Sequence, residues 1–258
     1  MKKQKVEISS KYQEYKGWLE NLDTIFEKEG EIIYKGRNTV SKFNVGGKCF
    51  NVKSFKTPNF INKFVYGNFR ESKAKRSYDY AHKLRDLGID SPEPVGYVEV
   101  YKNGLFFKSY YVSVQKTYDF TIREVLEYHV SNREEILNQF IDYTFEKLHK
   151  NGVFHLDYSP GNILINVSEK GEYLFSIIDL NRMKFISIDY QKGLYNLRQF
   201  DADKDSLIMM GMAYARKWKK DPEEGARLLV EYDHKYKHKR VVKYRYKNFF
   251  KSLRFWKK

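Results

Sequence analysis

Val153-Phe154-His155-Leu156-Asp157-Tyr158-Ser159-Pro160-Gly161-Asn162-Ile163-Leu164-Ile165 is the stretch on which the reading of this chain turns. An apolar run gives way to a polar loop that sets Asp157 and Asn162 five positions apart, and a second apolar run follows. Seventeen positions after Asn162 comes Asp179, in Ser176-Ile177-Ile178-Asp179-Leu180-Asn181-Arg182, where another apolar strand ends in an Asp. Phosphoryl transfer accounts for this spacing. One carboxylate must orient the acceptor hydroxyl and take its proton, while an amide oxygen and a second carboxylate hold Mg2+ against a triphosphate. Asp157 suits the first role, and Asn162 and Asp179 suit the second. His155 is expected to pack the loop rather than to move protons.

Outward from this loop, the chain divides by composition into a strand-rich part and a helix-rich part. Ser9 or Ser10 can cap a first helix with Trp18, Leu22, Ile25 and Phe26 on one stripe, ending at Gly30. Three strand-like runs follow, Glu31 to Lys35, Val40 to Val45 and Lys48 to Phe55. They are separated by the turn sequences Gly36-Arg37-Asn38 and Gly46-Gly47. A helix is predicted from about Arg70 to Leu87, stopped by Gly88 and by Ser91-Pro92-Glu93-Pro94. Strands over Val95 to Val100 and Leu105 to Val114 flank Lys102-Asn103-Gly104. Asn132 caps a helix carrying Ile136, Leu137, Phe140, Ile141, Phe145 and Leu148. Two short strands and loops are read over Val153 to Phe185, and helices over Asp203 to Lys219 and from Pro222 onward. A β-rich lobe followed by an α-rich lobe is a two-lobed α+β arrangement. The expected divisions are an N-terminal helical extension over 1–30, a β-rich nucleotide-binding lobe over 31–114, a helical catalytic lobe over 115–230, and a basic aromatic helix over 231–258.

Bulk properties narrow the setting. The 258 residues are 41% apolar and 31% charged, an ordinary globular balance. Met1-Lys2-Lys3-Gln4-Lys5-Val6-Glu7 is basic but leads into no apolar segment, so a secretory signal is not expected. No run nears the roughly 18 to 20 apolar residues of a membrane-spanning helix. A cytoplasmic protein is therefore expected. Cys49 is the single cysteine, which excludes an intrachain disulfide, and no Cys or His cluster suggests structural zinc. The formal charge of +15 calls for an anionic partner.

The loop and the second strand resemble the kinase superfamily. His155-Leu156-Asp157 and Asn162 match its H-x-D-x-x-x-x-N catalytic loop, and Ile178-Asp179-Leu180 stands where D-F-G would. The resemblance implies a kinase-like fold with a β-rich N-lobe and a helical C-lobe. It also implies use of ATP and Mg2+, and a phosphate-contacting Lys53 after Val52 in the third strand-like run, with Lys56 as fallback. Two departures stand out. No G-x-G-x-x-G precedes Lys53, only Gly36-Arg37-Asn38-Thr39. The helix acid that should pair with the lysine is not evident, since Ser77 stands where Glu is usual, which leaves Glu71 and Asp79 as possible partners.

Within the superfamily the chain resembles the lipopolysaccharide core kinases of the Kdo/heptose group from about Glu31 to Phe185. The resemblance rests on the compact loop His155 to Asn162, on Ile178 to Arg182, and on Leu87-Gly88-Ile89-Asp90-Ser91-Pro92-Glu93-Pro94. It implies ATP-dependent phosphorylation of a Kdo or heptose hydroxyl on the inner core or a lipid A precursor. Aminoglycoside-type kinases share a similar loop, so a cytosolic small-molecule kinase is the enzyme alternative. A degenerate fold that only binds membrane or nucleic acid is the non-enzyme alternative. No A-P-E follows Asp179, which argues against a protein kinase.

The C-terminus favours the glycolipid acceptor. From Glu231 to Lys258 there are eleven Lys or Arg against two acids. On a helical wheel Val242, Tyr246, Phe249, Leu253 and Trp256 share one face, and Arg240, Lys243, Lys247, Lys251, Arg254 and Lys258 share another. Such a helix suits the headgroup layer of an anionic bilayer, here the cytoplasmic face of the inner membrane. It could instead pack on the helical lobe. Nucleic acid is not the expected partner.

Overall fold

The computed structural model describes residues 2–55, 71–128 and 130–255, with side chains described as far as Tyr246. The fallback Lys56 and the tail residues Phe249, Leu253 and Trp256 thus lie outside the described side chains. The chain divides into two compact units, one of residues 1–117 with 176–181, the other of 118–175 with 182–258.

The first unit is a six-stranded antiparallel sheet with a helix on each face. Its strands are β1 (Lys2–Ile8), β2 (Glu31–Lys35), β3 (Thr39–Val45), β4 (Lys48–Phe55), β5 (Pro94–Lys102) and β6 (Leu105–Val114), in the order β1-β5-β6-β4-β3-β2. Tight turns set the registers. Gly46 and Gly47 both take positive φ between Val45 and Lys48, and Asn103 and Gly104 do so between Lys102 and Leu105. That is the backbone of a hairpin turn matched to strand twist. β1 was not foreseen in the sequence; it is an edge strand paired with β5 from Lys2↔Lys102 to Ile8↔Gly96.

Helix α1 (Lys16–Glu29) buries Leu19, Leu22 and Phe26 against Phe43, Phe50, Val52, Val98, Val100 and Val112, with Trp18 and Ile25 packed at the margin. The expected stripe is therefore present, shifted to include Leu19. Helix α2 (Lys73–Asp86) covers the other face, where Tyr78 meets Tyr97 with ring centroids 5.5 Å apart. Ser72 caps α2 by accepting from the Lys75 amide at 3.0 Å. It ends as Gly88 N–H donates to Arg85 O and Ile89 N–H to Leu84 O, with Gly88 at φ +66°. Strand alternation then decides what faces α2. Val52 of β4 joins the α1 side, so Lys53 and Phe55 emerge on the α2 side.

The second unit is mostly helical, with short strands. β7 (Phe120–Thr121), β9 (Ile163–Val167) and β10 (Tyr173–Ile177) form one small sheet, and β8 (Val153–His155) pairs with β11 (Met183–Phe185). Four strands thus occupy 153–185, where two were expected. The helices are α3 (Ile122–Glu127), α4 (Arg133–Tyr143), α5 (Tyr190–Leu197), α6 (Lys204–Lys217) and α7 (Pro222–Phe255). α4 continues into a π-helical turn, Thr144–His149. Phe140 of α4 meets Phe200 and Tyr158 at 5.1 and 5.9 Å. α6 and α7 touch backbone to backbone: a Cβ on Gly211 would lie 2.6 Å from Gly225 O, and one on Gly225 2.5 Å from Gly211 O. α7 is one continuous helix, in which the last fully buried side chain among the described residues is Asp233. The α+β class read from the sequence, β-rich then helical, is the class observed.

Candidate active site

The loop after β8 is held by a series of backbone hydrogen bonds. Leu156 N–H donates to Arg182 O at 2.8 Å, Ser159 N–H to Asp157 O at 2.9 Å, and Asn162 N–H to Ser159 O at 2.9 Å. The Asp157 amide donates to His155 Nδ1 at 3.1 Å, so that nitrogen is an acceptor and the ring proton sits on Nε2. His155 is 1% exposed and packs the loop, as expected for it. Asn162 Nδ2 donates to the Asp157 carbonyl at 2.9 Å, which commits its NH2 to the loop and leaves Oδ1 as the side chain's acceptor. The Asp157 carboxylate receives Arg182 Nη1 at 3.3 Å.

A buried polar chain supports this loop from below. Asn196 Nδ2 donates to the His155 carbonyl at 2.8 Å, and Gln199 Nε2 to the Leu156 carbonyl at 3.3 Å. Asn196 Oδ1 in turn lies 3.2 Å from His149 Nε2, whose Nδ1 lies 2.7 Å from the Tyr214 hydroxyl. Asn196 Oδ1 can only accept, so His149 Nε2 carries the proton and Nδ1 accepts from Tyr214. Burial pushes the His149 pKa down to about 4, against the weaker effect of Asn196, and keeps the ring neutral. None of these supporting residues was singled out from sequence. They come from α5 and the residues just after it, α6 and the π-turn, and no local spacing links them.

The first unit holds Lys53 and Asp179. Lys53 Nζ is 2.9 Å from Asp179 Oδ1, with both side chains mostly buried. Asp179 sits at φ +61°, a conformation that costs a non-glycine residue energy and is kept where the surroundings impose it. Asn181 Nδ2 donates to its carboxylate. The segment 176–181 is tied to Asp90, whose carbonyl accepts from Ile177 N–H at 3.1 Å and whose carboxylate accepts from the Ser176 hydroxyl. Lys116 pairs with the same carboxylate at 2.7 Å. Asp90 therefore has a definite task within the Gly88 to Pro94 motif.

The question of the lysine's helix partner is answered here. Glu71 and Asp79 both pair with Lys75, at 2.8 and 2.5 Å, and Lys53 pairs with Asp179 instead. The α2 side facing Lys53 is cationic. Burial lowers the Lys73 pKa, the charges of Arg37 and Arg76 lower it further, Asp179 opposes them, and Lys53 adds to the repulsion. Among the described residues no three His, Cys, Asp or Glu side chains gather as a metal site. Each unit offers one oxygen donor of the kind Mg2+ takes, the Asp179 carboxylate in the first and Asn162 Oδ1 in the second.

A family model described as the lipopolysaccharide kinase (Kdo/WaaP) family matches residues 28–204, more than half of the chain. The chain belongs to that family. It is accordingly a kinase, and family membership implies use of ATP. As a Kdo/WaaP-family member it also shares a fold with a solved structure described as WaaP in complex with acyl carrier protein. That match has a TM-score of 0.59 and 15% identity, and covers 90% of this chain and 97% of that one. At such identity the likeness speaks for the fold alone. A search of curated proteins gives no match. Among the described residues of this Kdo/WaaP kinase, no helix is long and apolar enough to cross a membrane.

Proposed function

We propose that this kinase transfers the terminal phosphate of ATP to a sugar hydroxyl, on Kdo or heptose, of the lipopolysaccharide inner core or a lipid A precursor. The observation that carries the catalytic assignment is the fixed loop that presents Asp157. Its own amide and carbonyl are both hydrogen-bonded within the loop, and Arg182 steadies the carboxylate, so Asp157 meets an acceptor hydroxyl with little further ordering. Asp157 orients the hydroxyl and takes its proton. Lys53 holds the α- and β-phosphates. Asn162 Oδ1 and the Asp179 carboxylate are the groups that would hold Mg2+, which supplies charge neutralisation on the phosphates when bound.

The C-terminal part of α7 supports an acceptor borne on an anionic surface. Val241, Tyr244 and Tyr246 are 49%, 67% and 63% exposed, on a stretch that also carries Lys243 and Arg245. Large exposed aromatics among cations suit a headgroup layer at the cytoplasmic face of the membrane. The solved relative was captured with acyl carrier protein. The same stretch should therefore also be offered that protein.

The test is transfer of labelled γ-phosphate to Kdo-lipid A, to core-truncated lipopolysaccharide and to an aminoglycoside, side by side. Label on a glycolipid, lost in Asp157→Asn, is the expected result. Label only on the aminoglycoside would redirect the protein to a soluble acceptor. No transfer to any of the three would leave the acceptor open, and a parent chain that binds no ATP would overturn the phosphotransfer reading.

A further inference from the structure

The first turn of α2 breaks a local rule. A helix carries positive partial charge at its N-terminus and favours acids there. α2 opens with Lys73, Lys75 and Arg76 and has no acid in that turn. Lys75 is compensated by Glu71 and Asp79, as described above. Lys73 is set differently. Its Nζ lies 5.8 Å from the centroid of the Phe55 ring, and the Nζ of Lys53 lies 5.7 Å from the same centroid. The two ammonium groups therefore share one ring, and Lys53 is the one that holds Asp179.

Charge accumulates at this spot from three elements. Arg37 comes from the β2–β3 turn, Lys53 from β4, and Lys73 and Arg76 from α2. Lys73 feels all three of the other cations, with Asp179 opposing them. Setting Lys73 beside Lys53 over one ring, half-buried at the unfavourable end of a helix and within the repelling field of Arg37 and Arg76, costs stability in the unliganded chain. Such a cost is retained where a function needs it. A polyphosphate is the ligand whose charge matches. Lys offers it a point charge, and Arg offers a planar fork that meets phosphate oxygens in pairs.

We propose that Lys73 and Arg76 of α2, with Arg37 of the β2–β3 turn, form a cationic clamp on the phosphates of the bound nucleotide, in place of the helix carboxylate and the glycine-rich loop of the kinase template. The inference rests on the reading that this chain binds ATP. It explains both departures together: a carboxylate on α2 would repel the phosphates that the clamp attracts, and an arginine in the turn does the work of a backbone cradle.

Calorimetric titration of the full chain with adenosine, ADP and ATP tests it, using Lys73→Gln, Arg76→Gln and, as a same-helix control, Lys75→Gln. Lys73→Gln and Arg76→Gln should each weaken ATP binding roughly tenfold, as loss of a charge-assisted phosphate contact does. Adenosine affinity should hold, and Lys75→Gln should stay within about twofold of the parent. Without nucleotide, Lys73→Gln should melt no lower than the parent, because a repelling charge has been removed. Unchanged ATP affinity in both clamp variants would overturn the clamp while leaving the kinase reading intact. So would an equal loss for adenosine and ATP, or a lower melting temperature for unliganded Lys73→Gln. Failure of the parent chain itself to bind any nucleotide would overturn the kinase reading, and the clamp with it.

Discussion

Asp157 and Lys53 illustrate how differently two residues of one reaction are exposed to substitution. In the proposed mechanism Asp157 takes a proton, while its amide and carbonyl, not its carboxylate, hold the loop together. Asp157→Asn keeps those backbone bonds and removes only the base. Turnover should fall ~10²- to 10⁴-fold, the usual worth of a positioned base. ATP affinity and the melting temperature should stay near those of the parent, which titration and thermal melts would check. Lys53 is paired with Asp179, so Lys53→Met leaves a mostly buried carboxylate without its cation. That variant should lose both ATP affinity and stability, the latter by about 1–3 kcal/mol. A stable Lys53→Met protein with normal ATP affinity would contradict the role given to the lysine. The loop was legible in sequence because its chemistry demands fixed residue types at short fixed spacing. Lys53 was legible only once the loop had been read. Its true partner was not, because pairing with Asp179 depends on a segment far along the chain returning to the first unit. Glu71 and Asp79 looked like candidates only because their engagement with Lys75 is invisible without coordinates.

At the scale of elements, the catalytic loop stands on α5, α6 and the π-turn through one line of polar contacts. His149 is its middle member and must stay neutral to accept from Tyr214 and donate to Asn196. Its folded pKa of about 4 lies below the ordinary 6.5, so the unfolded chain takes up the proton first as pH falls. The contribution of neutral His149 is therefore complete above about pH 6.5 and is lost as pH drops toward 4, by at most about 3 kcal/mol. Urea melts over that range should show a steeper loss in the parent than in His149→Asn, by about one proton's worth of slope. Equal slopes would remove His149 from the account. The α6–α7 contact is a second element-scale device. Gly211→Val forces a branched side chain against the Gly225 carbonyl and the Ala226 backbone, and should cost about 3 kcal/mol or more. Denaturant midpoints would measure it. Helix stripes, hairpin turns and the Gly88 stop were readable because they follow from local periodicity and turn chemistry. β1 was missed because Lys2 to Ile8 alternates only weakly between polar and apolar residues, as an edge strand can when its partner strand supplies the burial.

Over the whole molecule the charge is uneven, and in the proposed function this is a second handle on a membrane-borne substrate. The +15 excess is concentrated toward the C-terminus, where residues 231–258 carry eleven cations against two acids. α7 spends its first half on packing: Ala226, Leu229 and Asp233 are buried, and Lys237 and Arg240 pair with Asp201 at 3.5 and 3.3 Å. From Val241 to Tyr246 no described side chain is fully buried, although Val242 is partly covered and Val241 and Tyr244 line a groove with Asp201. A chain ending at Arg240 therefore keeps the buried residues and the Asp201 ion pairs of α7 and loses seven Lys or Arg. If half of those act at an anionic surface, at roughly 1 kcal/mol each, the truncation removes about 3 kcal/mol of attraction, more than a hundredfold in partitioning. Co-sedimentation with vesicles containing about a third anionic lipid should therefore capture the full chain and release the truncated one. Salt should release the full chain as well, since exposed charges are screened within ~3 Å at 1 M. Transfer to a short, water-soluble core sugar should survive truncation, because Asp157, Asn162, Asp179 and Lys53 are all retained. Transfer to vesicle-borne glycolipid should fall in step with binding. Truncation that leaves vesicle binding untouched would overturn the membrane role given to the tail.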